Sequence, residues 1–202
     1  SIIKLNCDRL KLDLVEQERA LRLVDIINSA ASRGSAITRS LMTLSRQRND
    51  SKFPVHIDSL IQENQPFLAT SLGAKVSLEL DLGAAGARAL VSPAATLNCL
   101  VNLLINARDA MPNGGLVKLA TRLHAGGSVL GDPDAQARIL IEVTDTGEGM
   151  SAEACKRAFE PLYSTKINGN GLGLASVREF VDEASGDAAI TSRPGIGTRV
   201  SL

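Results

Sequence analysis

Aromatic side chains are scarce: phenylalanine, tyrosine and tryptophan together make up 2% of the 202 residues, and tryptophan is absent. A stacking platform for single-stranded nucleic acid needs rings in series, so the chain is poorly equipped for that role. Net charge is missing as well. Lys+Arg and Asp+Glu both number 22, giving zero formal charge at pH 7. That argues against bulk adhesion to nucleic acid or to a membrane surface and leaves only a local basic groove open. No apolar run approaches the roughly 18–20 residues that span a bilayer. The three cysteines, Cys7, Cys99 and Cys155, are far apart and form no C-x-x-C pair. They fit reduced, packed thiols in a cytoplasmic protein. The chain starts at Ser1 with no signal peptide, so it reads as a piece of a longer protein, with room for an anchor or sensor upstream.

What is present is enough apolar material, 44%, for a proper core. Residues 1–48 hold one glycine and no proline. Within them Ala20, Leu23, Ile27, Ala30, Gly34, Ile37, Leu41 and Leu44 recur in steps of three and four, the seam of packed helices. This predicts a helical hairpin or dimer bundle over 1–49 and a second domain over 50–202. Arg46 to Pro54 reads as the linker. After it, "HIDSLIQENQPFLATSLG" predicts a helix broken near Pro66, and "KVSLELDL" alternates as a strand. "GLVKLATRL" and "ARILIEVTDT" are further strands, joined by a turn-rich loop from His124. A short helix follows "DTGEGM", then the helix "GLASVREFVDEAS" and the strands "DAAITS" and "TRVSL". Helices and strands mingle, and consecutive strands lie close enough for hairpins. The expected fold class is α+β, one sheet against a helical layer.

Five short segments carry the chemistry. In "NLLINARDAM", Asn102 and Asn106 stand four residues apart on one side of an apolar helix. In "DTGEGM", Asp145 ends a strand, and Gly147 and Gly149 free the backbone to turn. A carboxylate so placed can accept from an exocyclic amine while a flat ring approaches the glycines. "GNGLGLA", with Gly169, Gly171 and Gly173, opens a helix and exposes backbone N–H groups to phosphate oxygens. It is neither the dinucleotide fingerprint nor a P-loop, because the spacing and the Gly-Lys-Ser/Thr signature are lacking. "FEPLYSTK" sits between the two glycine segments and ends in Lys166, the composition of a mobile lid. "RPGIGTRVSL" closes the chain with a glycine turn before the last strand. Each segment alone has a plain structural explanation; their order is the stronger signal.

From about Pro54 to Leu202 that ordered set resembles the ATP-binding domain of sensor histidine kinases, the Bergerat fold shared with gyrase, Hsp90 and MutL proteins. Residues 1–49 resemble, in helix pattern, the dimerisation and phosphotransfer hairpin of such kinases, which forms a dimeric four-helix bundle. The resemblance implies ATP and Mg2+ as ligands, with Asn106 offering its amide oxygen to the metal, as a hard cation prefers. Asn102 would face the same phosphates. It stands where related ATP hydrolases carry a water-activating glutamate, and an amide cannot take up a proton. Asp145 would hold the adenine amino group, with Gly147, Gly149 and Thr198 shaping that pocket. Gly169, Gly171, Leu172 and Gly173 would form the phosphate-side hinge, with Lys166 as a phosphate contact. Asp109 and Arg108 stand on the next turn. Two departures are Ala110, where many relatives place an aromatic ring over the adenine, and Leu162, where a phenylalanine is common.

The implied partners are ATP or ADP, a response-regulator receiver domain and a second copy of the chain through the N-terminal helices, without nucleic acid or membrane contact. The phosphoacceptor histidine is expected upstream of Ser1, because neither His56 nor His124 falls on a hairpin helix. Two alternatives remain open from sequence: a Bergerat-fold ATPase, against which Asn102 speaks, and a dimeric phosphotransfer scaffold without ATP turnover.

Overall fold

The computed structural model of the chain describes Ile27 and residues 51–84, 86–124, 137–166 and 171–202. The hairpin expected over 1–49 (Ile27 apart), most of the loop after His124, and Gly169 lie outside the described residues.

Among the described residues from 51 onward the first element is a strand, β1 (Phe53–His56), followed by helices α1 (Ile57–Glu63) and α2 (Gln65–Leu72). The break between the helices falls at Asn64, whose Nδ2 donates to the Leu60 carbonyl at 2.9 Å. Pro66 then sits in the first turn of α2, where no N–H is required of it. Strands β2 (Val76–Gly83) and β3 (Arg88–Val91) come next. Helix α3 (Pro93–Asp109) starts at Ser92, whose Oγ accepts from the Ala95 N–H at 3.2 Å, with Pro93 in its first turn. Strands β4 (Gly115–His124) and β5 (Arg138–Asp145) follow, then α4 (Ala152–Arg157), α5 (Gly173–Glu183), β6 (Ala189–Arg193) and β7 (Gly197–Ser201).

Five strands form one sheet in the order β2-β4-β5-β7-β6. β2 and β4 are parallel, from Val76 opposite Gly115 to Gly83 opposite Arg122, and the other neighbours are antiparallel. A parallel pair needs a long crossover, and the segment carrying α3 supplies it. Alternation splits the sheet into two faces. Val117, Leu119, Val143 and Val200 are buried against Leu100, Leu103 and Leu104 of α3, Val177 and Val181 of α5, and Leu68 and Leu72 of α2. On the opposite face Asp81 is held between Arg122 at 2.7 Å and Lys118 at 2.8 Å, which together keep its carboxyl down at about 2. The fold is the expected α+β sandwich of a mixed sheet and a helical layer.

Two strands depart from the expectation. The sequence pattern places "FPVH" in the linker and the entry of a helix, and "RALV" in no element. They pair antiparallel as a separate two-stranded sheet, with Phe53 opposite Val91 and His56 opposite Arg88. His56 Nε2 accepts from Arg88 Nε at 2.7 Å across this pair. Four residues are too few for a period-two pattern to stand out, and Pro54 is tolerated because each strand in such a ribbon is an edge.

Candidate functional site

The alternation that buries Val143 and Val200 also turns Asp145, Thr198 and Ser192 toward the helical layer, from adjoining strand ends. Asp145 is the last residue of β5 and is 9% exposed. Its Oδ1 accepts from the Gly147 N–H at 2.8 Å and from the Thr198 N–H at 3.2 Å. Burial pushes the carboxyl above its ordinary value, against those two hydrogen bonds and the charge of Lys166.

The turn after Asp145 is pinned on two sides. Glu148 N donates to the Ala110 carbonyl at 3.0 Å, and Gly195 N donates to the Glu148 carbonyl at 2.7 Å. A Cβ on Gly147 would stand 2.7 Å from the Ala110 oxygen and 2.8 Å from its Cβ. Gly149 has φ +68°, and a Cβ there would strike the Arg193 carbonyl. Close approach to the end of α3 thus explains Gly147, and left-handed backbone explains Gly149.

The other end of the cleft is built by α3. Asn102 and Asn106 are both half-buried. The Asn106 carboxamide lies against Gly173, the first residue of α5, where a Cβ would be 3.3 Å from Nδ2 and 3.6 Å from Oδ1. Among the described residues, Asn106 Nδ2 is the buried side-chain polar atom without a hydrogen-bond partner. Such an atom costs roughly 1–3 kcal/mol. Lys166 reaches over this point: Nζ donates to the Asn106 backbone carbonyl at 3.1 Å and stands 4.0 Å from Asp109 Oδ2. Burial lowers the Lys166 pKa, opposed by Asp109, Glu148 and Asp145. Arg108 holds Asp109 from the side, with Nη2 2.7 Å from Oδ1, while its Nη1 donates to the Ser71 carbonyl at 3.0 Å.

The structure therefore brings Asn106, Asp109, Lys166, Leu172 and Gly173 to one end of a cleft and Asp145, Gly147, Gly149 and Thr198 to the other. Ala110 and Glu148 join the two. Gly171, at φ +64°, lies against the backbone of Leu162, and Leu162 N donates to the Gly171 carbonyl at 2.9 Å. Asn102 lies one turn before Asn106, and among the described residues no side-chain hydrogen bond ties it to the cluster. Sequence reasoning missed Ser192, whose Oγ meets Met150, Gly197 and Thr198. Its only sequence signal is the glycine turn between β6 and β7, which sets Ser192 opposite Thr198.

A mixed sheet under helices, with a carboxylate at a strand end facing an asparagine-bearing helix across glycine turns, defines the Bergerat class of α/β sandwich. The chain belongs to the family described as "Histidine kinase-, DNA gyrase B-, and HSP90-like ATPase", which matches residues 93–202, and its domain is of the histidine-kinase type. It is 32% identical over 190 residues to the sensor kinase CckA of Brucella abortus, covering 88% of this chain and 20% of that protein. It is 31% identical over 198 residues to the alginate biosynthesis sensor protein KinB of Pseudomonas aeruginosa, covering 95% and 31%. The sensor histidine kinase ZraS of Klebsiella oxytoca is 28% identical over 179 residues, covering 88% and 37%. The chain thus spans between a fifth and two fifths of the length of these curated relatives. Among solved structures, full-length ShkA in complex with AMPPNP superposes with a TM-score of 0.68 at 20% identity, covering 92% of this chain and 38% of that one. The mycobacterial sensor histidine kinase MprB gives 0.60 at 20% identity, covering 74% and 94%. At these identities the structural likeness is one of fold.

Proposed function

We infer that the chain is the ATP-handling part of a sensor histidine kinase, binding Mg-ATP and presenting the γ-phosphoryl group to a histidine. The observation that carries this reading is the Asn106 carboxamide, whose buried Nδ2 has no hydrogen-bond partner and which is placed against the glycine that opens α5. Among the described residues no cluster of three or more His, Cys, Asp or Glu side chains is poised for a metal. A magnesium ion sharing one amide oxygen with substrate phosphates suits such a donor set, because Mg2+ keeps most of its shell from water and phosphate. Bound there, the metal would neutralise phosphate charge.

The chain's own residues divide the remaining work. Asp145 and Thr198 hold the purine, and Gly147 and Gly149 let it lie against the turn. The N–H groups at the start of α5, around Leu172 and Gly173, meet phosphate oxygens, as does the Lys166 ammonium once it leaves the Asn106 carbonyl. Asn102 sits beside the phosphates without a proton-accepting group, so water is not activated and the phosphoryl group is kept for transfer. A histidine nitrogen attacks the γ-phosphorus in line and ADP departs, with catalysis resting on positioning and charge.

Neither histidine of this chain suits the acceptor role. His56 is committed to Arg88 in β1, and His124 ends β4 on the sheet. Residues 1–49 are proposed as the dimerisation and phosphotransfer hairpin, 50–202 as the ATP domain, and an aspartate of a response-regulator receiver domain as the final acceptor. Two measurements test the reading together. Calorimetry should record Mg-ADP binding, and γ-labelled ATP should leave no label on this chain. Steady ATP hydrolysis by the isolated chain would instead favour an ATPase.

A further inference from the structure

Ser192 and Thr198 stand opposite each other in the β6–β7 ladder, on the helix-covered face that also carries Asp145. Three groups surround the Ser192 hydroxyl. The Met150 N–H donates to it at 2.8 Å, the Gly197 carbonyl lies at 2.9 Å, and Thr198 Oγ1 lies at 2.9 Å. A serine hydroxyl has one proton and two lone pairs. The carbonyl of Gly197 can only accept, so the Ser192 proton goes there. Met150 occupies one lone pair, and the other must receive the proton of Thr198. Thr198 is therefore the donor of the pair, and toward the cleft it retains only lone pairs. Asp145, as a carboxylate, likewise only accepts, and its Oδ1 is already engaged by Gly147 and Thr198.

We propose that Ser192 is a positioning residue that sets purine specificity: by holding the Thr198 proton it leaves Thr198 Oγ1 and Asp145 as acceptors alone, which the 6-amino group of a purine satisfies and a 6-oxo group does not. A 6-amino group brings two N–H donors to a carboxylate and a hydroxyl oxygen. A 6-oxo group brings lone pairs to the same two atoms and finds no proton. A site whose buried polar groups are left unmatched rejects a ligand far more strongly than one that merely lacks a contact. The inference deepens the nucleotide-binding reading above and rests on it.

The test is calorimetric titration of the full chain with Mg-ADP and with Mg-IDP, the 6-oxo counterpart. Wild type should favour ADP. Ser192→Ala frees the Thr198 hydroxyl to rotate and donate to a 6-oxo oxygen, so the ratio of the two affinities should narrow roughly tenfold, the scale of one hydrogen bond. Ser192→Thr keeps the hydroxyl and should keep the wild-type ratio. A purely structural serine would weaken both ligands together and leave the ratio unchanged, which overturns the proposal. Ser192→Ala leaves Met150 N without its Ser192 acceptor; if it does not fold, Ser192→Cys supplies the same test. That variant keeps the shape but puts a poor acceptor opposite Thr198, and it must narrow the ratio in the same direction. Wild type that binds ADP, with a Ser192→Ala variant that preserves its preference, defeats this inference alone. Wild type that binds neither diphosphate defeats the nucleotide reading with it.

Discussion

Asp145 carries opposed demands. Its carboxylate is buried, which costs stability, yet in the proposed function the same burial would remove competing water from an adenine amino group. Asp145→Asn keeps an oxygen for the Gly147 and Thr198 N–H groups but turns an NH2 toward the ligand. Nucleotide affinity should fall roughly 10- to 100-fold, the scale of a lost hydrogen bond to a charged group. Stability should rise or hold at pH 7. The sign follows from the raised folded-state pKa: the native contribution is fully present below the unfolded value of 3.8 and is lost as pH rises through the folded one. The stabilising effect of Asp145→Asn over wild type should therefore appear at neutral pH and vanish below about pH 3.8 in urea titrations. A variant that loses stability at pH 7 would contradict this account. The carboxylate and its glycines were legible in the sequence because they are nearly consecutive. Ser192 was not, because its meaning depends on which residue the β6–β7 turn sets opposite it.

At the scale of elements, the turns differ in what surrounds their glycines. Gly149 and Gly195 both have positive φ, yet a Cβ on Gly195 meets nothing within 4 Å, whereas one on Gly149 runs into the Arg193 carbonyl. Gly195→Ala should thus cost only the left-handed backbone penalty, about 1–2 kcal/mol. Gly149→Ala should cost clearly more and should displace the turn that Glu148 and Met150 anchor; equal losses of stability in the two variants would refute the steric argument. Lys166 belongs to this scale too. Its pKa is lowered mainly by burial, so the unfolded chain binds the proton more readily. The strain is present below the folded value and relieved as pH rises toward the ordinary 10.5. Lys166→Met should therefore leave the nucleotide-free protein at least as stable at pH 7, while weakening nucleotide binding about tenfold or more.

Most elements announced themselves in the sequence, down to the five-residue strands β6 and β7 and the six-residue helix α4, whereas the two four-residue strands did not. α3 and α5 show their apolar stripes over 17 and 11 residues, and β4 and β5 alternate over 10 and 8. β1 and β3 hold four residues each and acquire their identity from pairing across more than thirty positions.

The whole molecule joins its core to its cleft through α3. One side of that helix buries Leu100, Leu103 and Leu104, and another carries Asn102 and Asn106. Leu104→Ala, at a position with no exposure, should cost about 2–5 kcal/mol. Mg-ADP at a hundred times its dissociation constant should return about 2.7 kcal/mol of that loss if the cleft still forms; thermal or urea unfolding with and without ligand checks both. The order of motifs made the ATP-binding class legible in the sequence. The parallel placement of β2 beside β4 and the second small sheet came only from long-range pairing.

In the proposed function Asn106 holds the metal of a bound nucleotide. Titration calorimetry of wild type and Asn106→Ala with ADP, in magnesium and again in chelator, tests it most directly. Wild type should bind in magnesium and lose most of that affinity in chelator, while the variant should be weak in both by roughly 100-fold, about 2.7 kcal/mol. Equal, magnesium-dependent binding by the two proteins would contradict it.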